Sequence, residues 1–346
     1  MNDIHYMNYT FKNTEKNNEK ASVFETKSLL YLIGKSDSRK EIEFVTFDCF
    51  NDVSGIDKKG SNIWDIQSKN EANLNPKKIG KYFFTLFDNS ISKLNFKEYI
   101  FFCRQLNDEY KIDTSIRSFK FSNFKINTGS RIKKGLVDEV LRVKGTSQNY
   151  SSEIDLFLEN VLIVEDDTTE QEYLKLITKF KNKSLKTDDF YLNAFKDLRD
   201  IQSSKKNSLI ENHTITNIID VISFNRHLRI LDIDTFLICR IIGVEIFNHK
   251  SIPFYFSQFT NTLQIEDAKD LIQDCNSNLS RCLFNKVSNN EFWKICEKII
   301  NSLETNYKTD VEEIFENNFK SYLAKYSYLN DLTIKYLTAL IIEGFK

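Results

Sequence analysis

A chain of 346 residues with only nine glycines and two prolines has few places where a helix must stop. Glycine costs backbone entropy inside a helix, and proline removes a donor and clashes with the preceding turn. Their scarcity predicts long helices joined by short connections. The length suits about two domains. A hydrophobic content of 41% beside 28% charged residues gives a soluble globular chain with a sizeable core.

The hydrophobic pattern changes along the chain. Residues 1–19 are polar and rich in Asn and Lys, and read as a flexible arm. "ASVFETKSLLYLI" (21–33) has the spacing of a mostly buried helix that carries Glu25. "EIEFVTFD" (41–48) alternates as a strand. "CFNDVSGIDKKG" (49–60) carries turn residues. "SNIWDIQSK" (61–69) is a second strand. "NPKKIGKYFFTLFDNSIS" (75–92) opens with Pro76 at a favourable first-turn position and continues as an amphipathic helix. "FKEYIFFCR" (96–104) is apolar enough for a central strand. The order helix, strand, strand, helix, strand predicts a small mixed sheet flanked by helices. Residues 116–126 read as a further strand or an extended segment, 130–143 as a helix and 144–152 as a linker. "SEIDLFLENVLIV" (152–164) fits strand or helix. From residue 168 onward helical periodicity dominates, including 213–224, 290–304 and 332–345.

The net charge of −1 conceals two unlike halves. Residues 1–150 hold 25 Lys and Arg against 19 Asp and Glu, and residues 151–346 hold 23 against 30. A basic first half is the footprint of nucleic-acid contact or of ordinary surface variation. Lys77, Lys78 and Lys81 are the basic residues placed to grip phosphates, on the helix after the second strand. The six cysteines are scattered without a CxxC pair, and His213, His227 and His249 lack partners at metal-ligand spacing. Both sets read as structural, with the thiols reduced in a cytoplasmic protein. The N-terminus lacks the apolar stretch of a signal peptide, no run reaches the length of a membrane span, and no glycine-rich phosphate loop occurs.

Side chains alternate across a strand, so Ile63, Asp65, Gln67 and Lys69 share one face of the second strand. Pairing of the first two strands would bring Asp48, Asp52, Gln67 and Lys69 to one edge, with Glu25 joining from the helix. Turn chemistry for the aspartates and a solvated edge for Gln67 and Lys69 are the plainer alternatives. Carboxylates beside an amide oxygen and a lysine suit phosphodiester cleavage. Mg²⁺ takes oxygen ligands and needs only one or two carboxylates besides substrate phosphate. A lysine beside it adds positive charge where negative charge develops.

"D-C-F-N-D-V" (48–53) followed by "I-Q-S-K" (66–69) resembles the PD-(D/E)xK, or restriction-endonuclease-like, nucleases. More narrowly, it is similar to the Gln-x-Lys nuclease domains of bacterial anti-phage effectors. These occur in cyclic-oligonucleotide-signalling (CBASS), Lamassu-type and HerA-associated systems. The resemblance spans roughly residues 20–165. It implies an α/β fold, a restriction-endonuclease-like mixed sheet flanked by helices at 20–150, followed by a connecting segment at 151–164. The helical periodicity and the aliphatic and aromatic abundance of residues 165–346 read separately as an all-helical partner-binding or oligomerisation domain. The resemblance makes Asp52, Gln67, Lys69 and Glu25 catalytic. Asp52, Asp48 and Gln67 become the metal-binding set, with Asp48 and Asp52 both candidates for the principal ligand. The implied cofactor is Mg²⁺ or Mn²⁺ and the implied substrate double-stranded DNA. The implied setting is cytoplasmic, without a membrane, beside an SMC-like or HerA-type partner ATPase, with the active form a homo-oligomer. An RNA-cleaving enzyme and a non-catalytic assembly subunit on the same scaffold are the alternatives.

Overall fold

In the computed structural model the described residues are 9–11, 19–206, 210–248, 251–306, 310–320 and 326–345. Two compact units divide the chain: residues 1–177 with 195–230, and residues 178–194 with 231–346.

The first unit is a mixed α/β structure. Its elements are β1 (Tyr9–Thr10), α1 (Glu19–Gly34), β2 (Ile42–Phe47), β3 (Val53–Asp57), β4 (Ile63–Lys69), α2 (Pro76–Tyr82), α3 (Phe84–Ser90), β5 (Phe96–Arg104), β6 (Ser118–Lys120), α4 (Ile126–Lys144), α5 (Ser151–Asn160), β7 (Val161–Asp166) and α6 (Glu170–Ile177). Then follow α7 (Asp188–Lys205), which begins in the second unit, β8 (Thr214–Ile215) and β9 (His227–Arg229). Seven strands form one sheet in the order β6-β7-β5-β4-β3-β2-β9. β4, β5 and β7 run parallel, and the remaining neighbours are antiparallel.

The segment expected as a turn at 49–60 contains β3, which lies between the two strands expected to pair. Val53 faces Phe47 on one side and Ile66 on the other. Ser54 and Gly55 disguise this strand as a loop. Both are buried, and a Cβ at Gly55 would press within 3.1 Å of Leu32 and Ile42 side chains, so the missing side chain lets α1 pack closely. The helix expected at 75–92 is two short helices. Asn75 caps the first by accepting from the Lys78 N–H, and Pro76 follows at its first position.

The ambiguous stretch at 152–164 is a helix and then a strand. α5 ends at Asn160, and "VLIVED" enters the sheet beside β5 because its apolar run is buried on both faces. The expected connecting segment is therefore part of the sheet, and this unit runs well past residue 150. The expected helix at 213–224 is β8 and a 3₁₀ segment (Ile218–Phe224), and β9 then extends the sheet beyond β2. Of the expected flexible arm, residues 9–11 are held: β1 pairs with β8 and Phe11 is buried. Residues 1–8 and 12–18 lie outside the described residues.

One face of the sheet packs α2–α5 through Phe83, Phe87, Phe101, Ile132 and Phe157. α1 brings Phe24 and Tyr31 against Phe102. Among its described residues the second unit is helical. After the start of α7 come α8 (Ile230–Ile242), α9 (Ile265–Phe284), α10 (Asn289–Asn306), α11 (Val311–Asn318) and α12 (Asp331–Gly344), and its core includes Trp293, Leu279 and Tyr336. The six cysteines are free and buried. No helix among the described residues is long and apolar enough to cross a membrane.

Candidate active site

The β2–β3 hairpin loop, residues 48–52, presents two aspartates at one end of the sheet. Its ends are tied by the Asp48 N–H donating to the Asp52 carbonyl at 3.3 Å, and Asp48 takes a left-handed φ of 48°. Asp tolerates that conformation better than most residues with a side chain. Asp52 stands immediately before β3, so the antiparallel register sets it against the C-terminal end of β4.

There one carboxylate oxygen of Asp52, Oδ2, accepts three hydrogen bonds. The donors are the Ser68 N–H at 2.7 Å, the Ser68 hydroxyl at 2.7 Å and the Gln67 amide at 2.8 Å. Among the described residues Oδ1 accepts none. The Gln67 amide oxygen in turn accepts from the Thr85 hydroxyl of α3 at 2.8 Å. Gln67 thus holds the network here, and the oxygen expected to bind metal accepts one hydrogen bond, from Thr85, which leaves its second lone pair.

Asp65, two residues earlier on the same face, as the alternation predicts, is a buried carboxylate that was not among the expected site residues. It accepts from Asn51 at 2.5 Å, Asn89 at 2.7 Å and Ser54 at 2.8 Å. Burial pushes its carboxyl up to about 6 against the pull of these three donors. It braces the hairpin loop against α3 from beneath.

Glu25 of α1 is buried beside this loop. Its Oε2 pairs with the Lys206 amine, which also lies 3.2 Å from Asp48 Oδ1. Arg226 stands 3.9 Å from Asp48 Oδ2 and donates to the Lys206 carbonyl at 2.8 Å. Burial pushes the Glu25 carboxyl up to about 7. Lys206 opposes that, while Asp52 and then Asp48 push the same way. Asp48 is also raised by burial, with Lys206 again opposing and Asp52 adding. The three acids therefore form one electrostatic group. Burial pulls the Lys206 amine down, but Glu25 and Asp48 outweigh it and hold the amine above the ordinary lysine range. Lys206 and Arg226 were invisible in the sequence because they join the site from more than 150 residues away.

Lys69 ends β4 on the Gln67 face, as the alternation predicts. Its amine lies 5.2 Å from the centre of the Tyr82 ring, and among the described residues no carboxylate comes within 4.0 Å of it. Lys78 pairs with Glu71, which also accepts from the Tyr82 hydroxyl at 2.9 Å. Lys77 pairs with Asp138 at 2.8 Å. Lys81 is exposed and makes no ion pair among the described residues. His213 and His227 pack their rings on Phe224 and Phe44. His249 lies outside the described residues.

The candidate donors are all oxygen: Oδ1 of Asp52 and the Asp48 carboxylate, both on the loop, and the Glu25 carboxylate of α1. That chemistry suits Mg²⁺ or Mn²⁺, for which one or two protein carboxylates are enough. Among the described residues no three acidic, His or Cys side chains are gathered around one point. The cation held by Glu25 and Asp48 is the Lys206 ammonium. Comparison with family models, curated proteins and solved structures found no match.

Proposed function

We propose that the chain is a metal-dependent nuclease that hydrolyses phosphodiester bonds in double-stranded DNA. The observation that carries this reading is the fixed pairing of Asp52, at the start of β3, with Gln67 and Ser68 at the end of β4, with Lys69 on the same strand end and Glu25 and Asp48 alongside. A solvated edge strand has no need of a carboxylate clamped by three donors beside an uncommitted lysine.

One or two of the carboxylates of Asp52, Asp48 and Glu25, together with substrate phosphate, would hold Mg²⁺ or Mn²⁺, which would supply charge neutralisation at the phosphate and an acidified water. The chain's own residues do the rest. Ser68 and Gln67 fix Asp52 Oδ2 and so aim Oδ1 outward. Thr85 fixes the Gln67 amide. Lys69, held by Tyr82 and not by a carboxylate, is free to turn its amine to a scissile phosphate and stabilise the developing charge. Lys81 is available for backbone phosphates, whereas Lys77 and Lys78 would first leave exposed ion pairs worth little.

The sequence resemblance extends the proposal to a cytoplasmic effector subunit of an anti-phage complex, acting as a homo-oligomer beside a partner ATPase. The helical second unit is then the docking module. Incubation with labelled duplex DNA, single-stranded DNA and RNA, with Mg²⁺, Mn²⁺ or EDTA, tests the chemistry. Metal-dependent scission of duplex DNA is the expected result. Scission that survives EDTA, or RNA as the only polymer cut, contradicts it.

A further inference from the structure

Lys206 sits just after α7, and its side chain is only 7% exposed. It faces Glu25 from α1 and Asp48 from the β2–β3 loop, and Arg226 approaches the same aspartate from the segment before β9. Burying an ammonium is costly unless it is paired, so the amine's place among these carboxylates is specified by the fold.

A buried carboxylate in this unit does not need a cation. Asp65 is fully buried and is held by two amides and a hydroxyl alone. Arg226 is pinned through backbone carbonyls, its NH2 group donating to Lys206 at 2.8 Å. Lys206 differs from both. It is a point charge on a flexible stem, and no hydrogen-bond acceptor for its amine other than the two carboxylates occurs among the described residues. Together Glu25, Asp48 and Asp52 carry three negative charges when ionised, and Lys206 cancels one of them where a cation would bind.

We infer that Lys206 is an internal counter-cation that competes with the divalent metal for Glu25 and Asp48, and so sets the site's metal affinity low. This rests on the nuclease reading of the same carboxylates. Lys206 is thus a positioning residue. It occupies Glu25 and Asp48, and a metal arriving with substrate phosphate would have to take them from the amine.

The test is Mn²⁺ binding to the full chain by calorimetry, without nucleic acid, for the wild type, Lys206→Met and Asp52→Asn. Lys206→Met is expected to bind about tenfold tighter or better, because a neighbouring positive charge is gone. Unchanged or weaker binding overturns the inference, as does failure of both proteins to bind. Asp52→Asn separates the two claims. If the wild type binds Mn²⁺ through Asp52 while Lys206→Met gains nothing, the metal site stands and only the role of Lys206 falls. Lys206→Met leaves buried carboxylates unpaired and can fail to fold. The comparison is therefore repeated as Glu25→Gln against Glu25→Gln/Lys206→Met, where the same tightening is expected through Asp48.

Discussion

Asp65 shows how a polar residue can serve a site without touching chemistry. Its carboxyl is pushed up to about 6 by burial, above the ordinary 3.8. Between about pH 4 and 6 the folded chain therefore binds a proton that the unfolded chain does not, so this group's contribution to stability is present at low pH and is lost as pH rises through 6. The swing is on the order of 3 kcal/mol. Denaturant unfolding of the wild type and Asp65→Asn across this range should give a difference that declines with pH in the wild type's disfavour. Parallel profiles would contradict the assignment. At this scale the sequence was legible where one strand supplied the logic: the period of two placed Gln67 and Lys69 together, and Asp65 with them. Lys206 and Arg226 were not legible, because nothing local marks a lysine or arginine that will be buried against acids distant in the chain.

Among the elements, strands that are apolar along their length were readable and those disguised by small residues were not. β5 matches its expected span of 96–104, since Phe, Tyr and Ile dominate it. β3 was hidden because "VSGID" carries the composition of a turn, and its burial comes from neighbours on both sides. The 75–92 helix was foreseen, but not its division into α2 and α3 nor the closeness of α2 to α4. A Cβ at Gly80 would fall 1.9 Å from the Ile132 carbonyl oxygen. Gly80→Ala should therefore lower the unfolding free energy by on the order of 3 kcal/mol, despite alanine's better helix propensity. Thermal unfolding checks this, and a variant at least as stable as the wild type would show that the helices can part without cost.

For the whole molecule, the division of the chain alters what a truncation means. The sheet-bearing unit takes up residues 195–230, which supply Lys206, Arg226 and the edge strand β9. Removing residues 165–346 would delete those parts as well as the helical unit. The truncated chain should lose cooperative unfolding, as read by circular dichroism on heating. A sharp melting transition would show that residues 20–164 fold without β9. The change to helical periodicity after residue 168 was visible in the sequence. The return of the chain to the sheet was not, because β8 and β9 are two and three residues long and lie beside helical patterns.

The central claim is that the end of β4 and the start of β3 form one hydrolytic site. Its most direct test is cleavage of supercoiled plasmid DNA with Mn²⁺ by the wild type, Asp52→Asn and Lys69→Ala, each shown to melt like the wild type. The account predicts nicking by the wild type and a loss of about a hundredfold or more in both variants. A Lys69→Ala protein that cuts as fast as the wild type, or a wild type that cuts no nucleic acid, would contradict it.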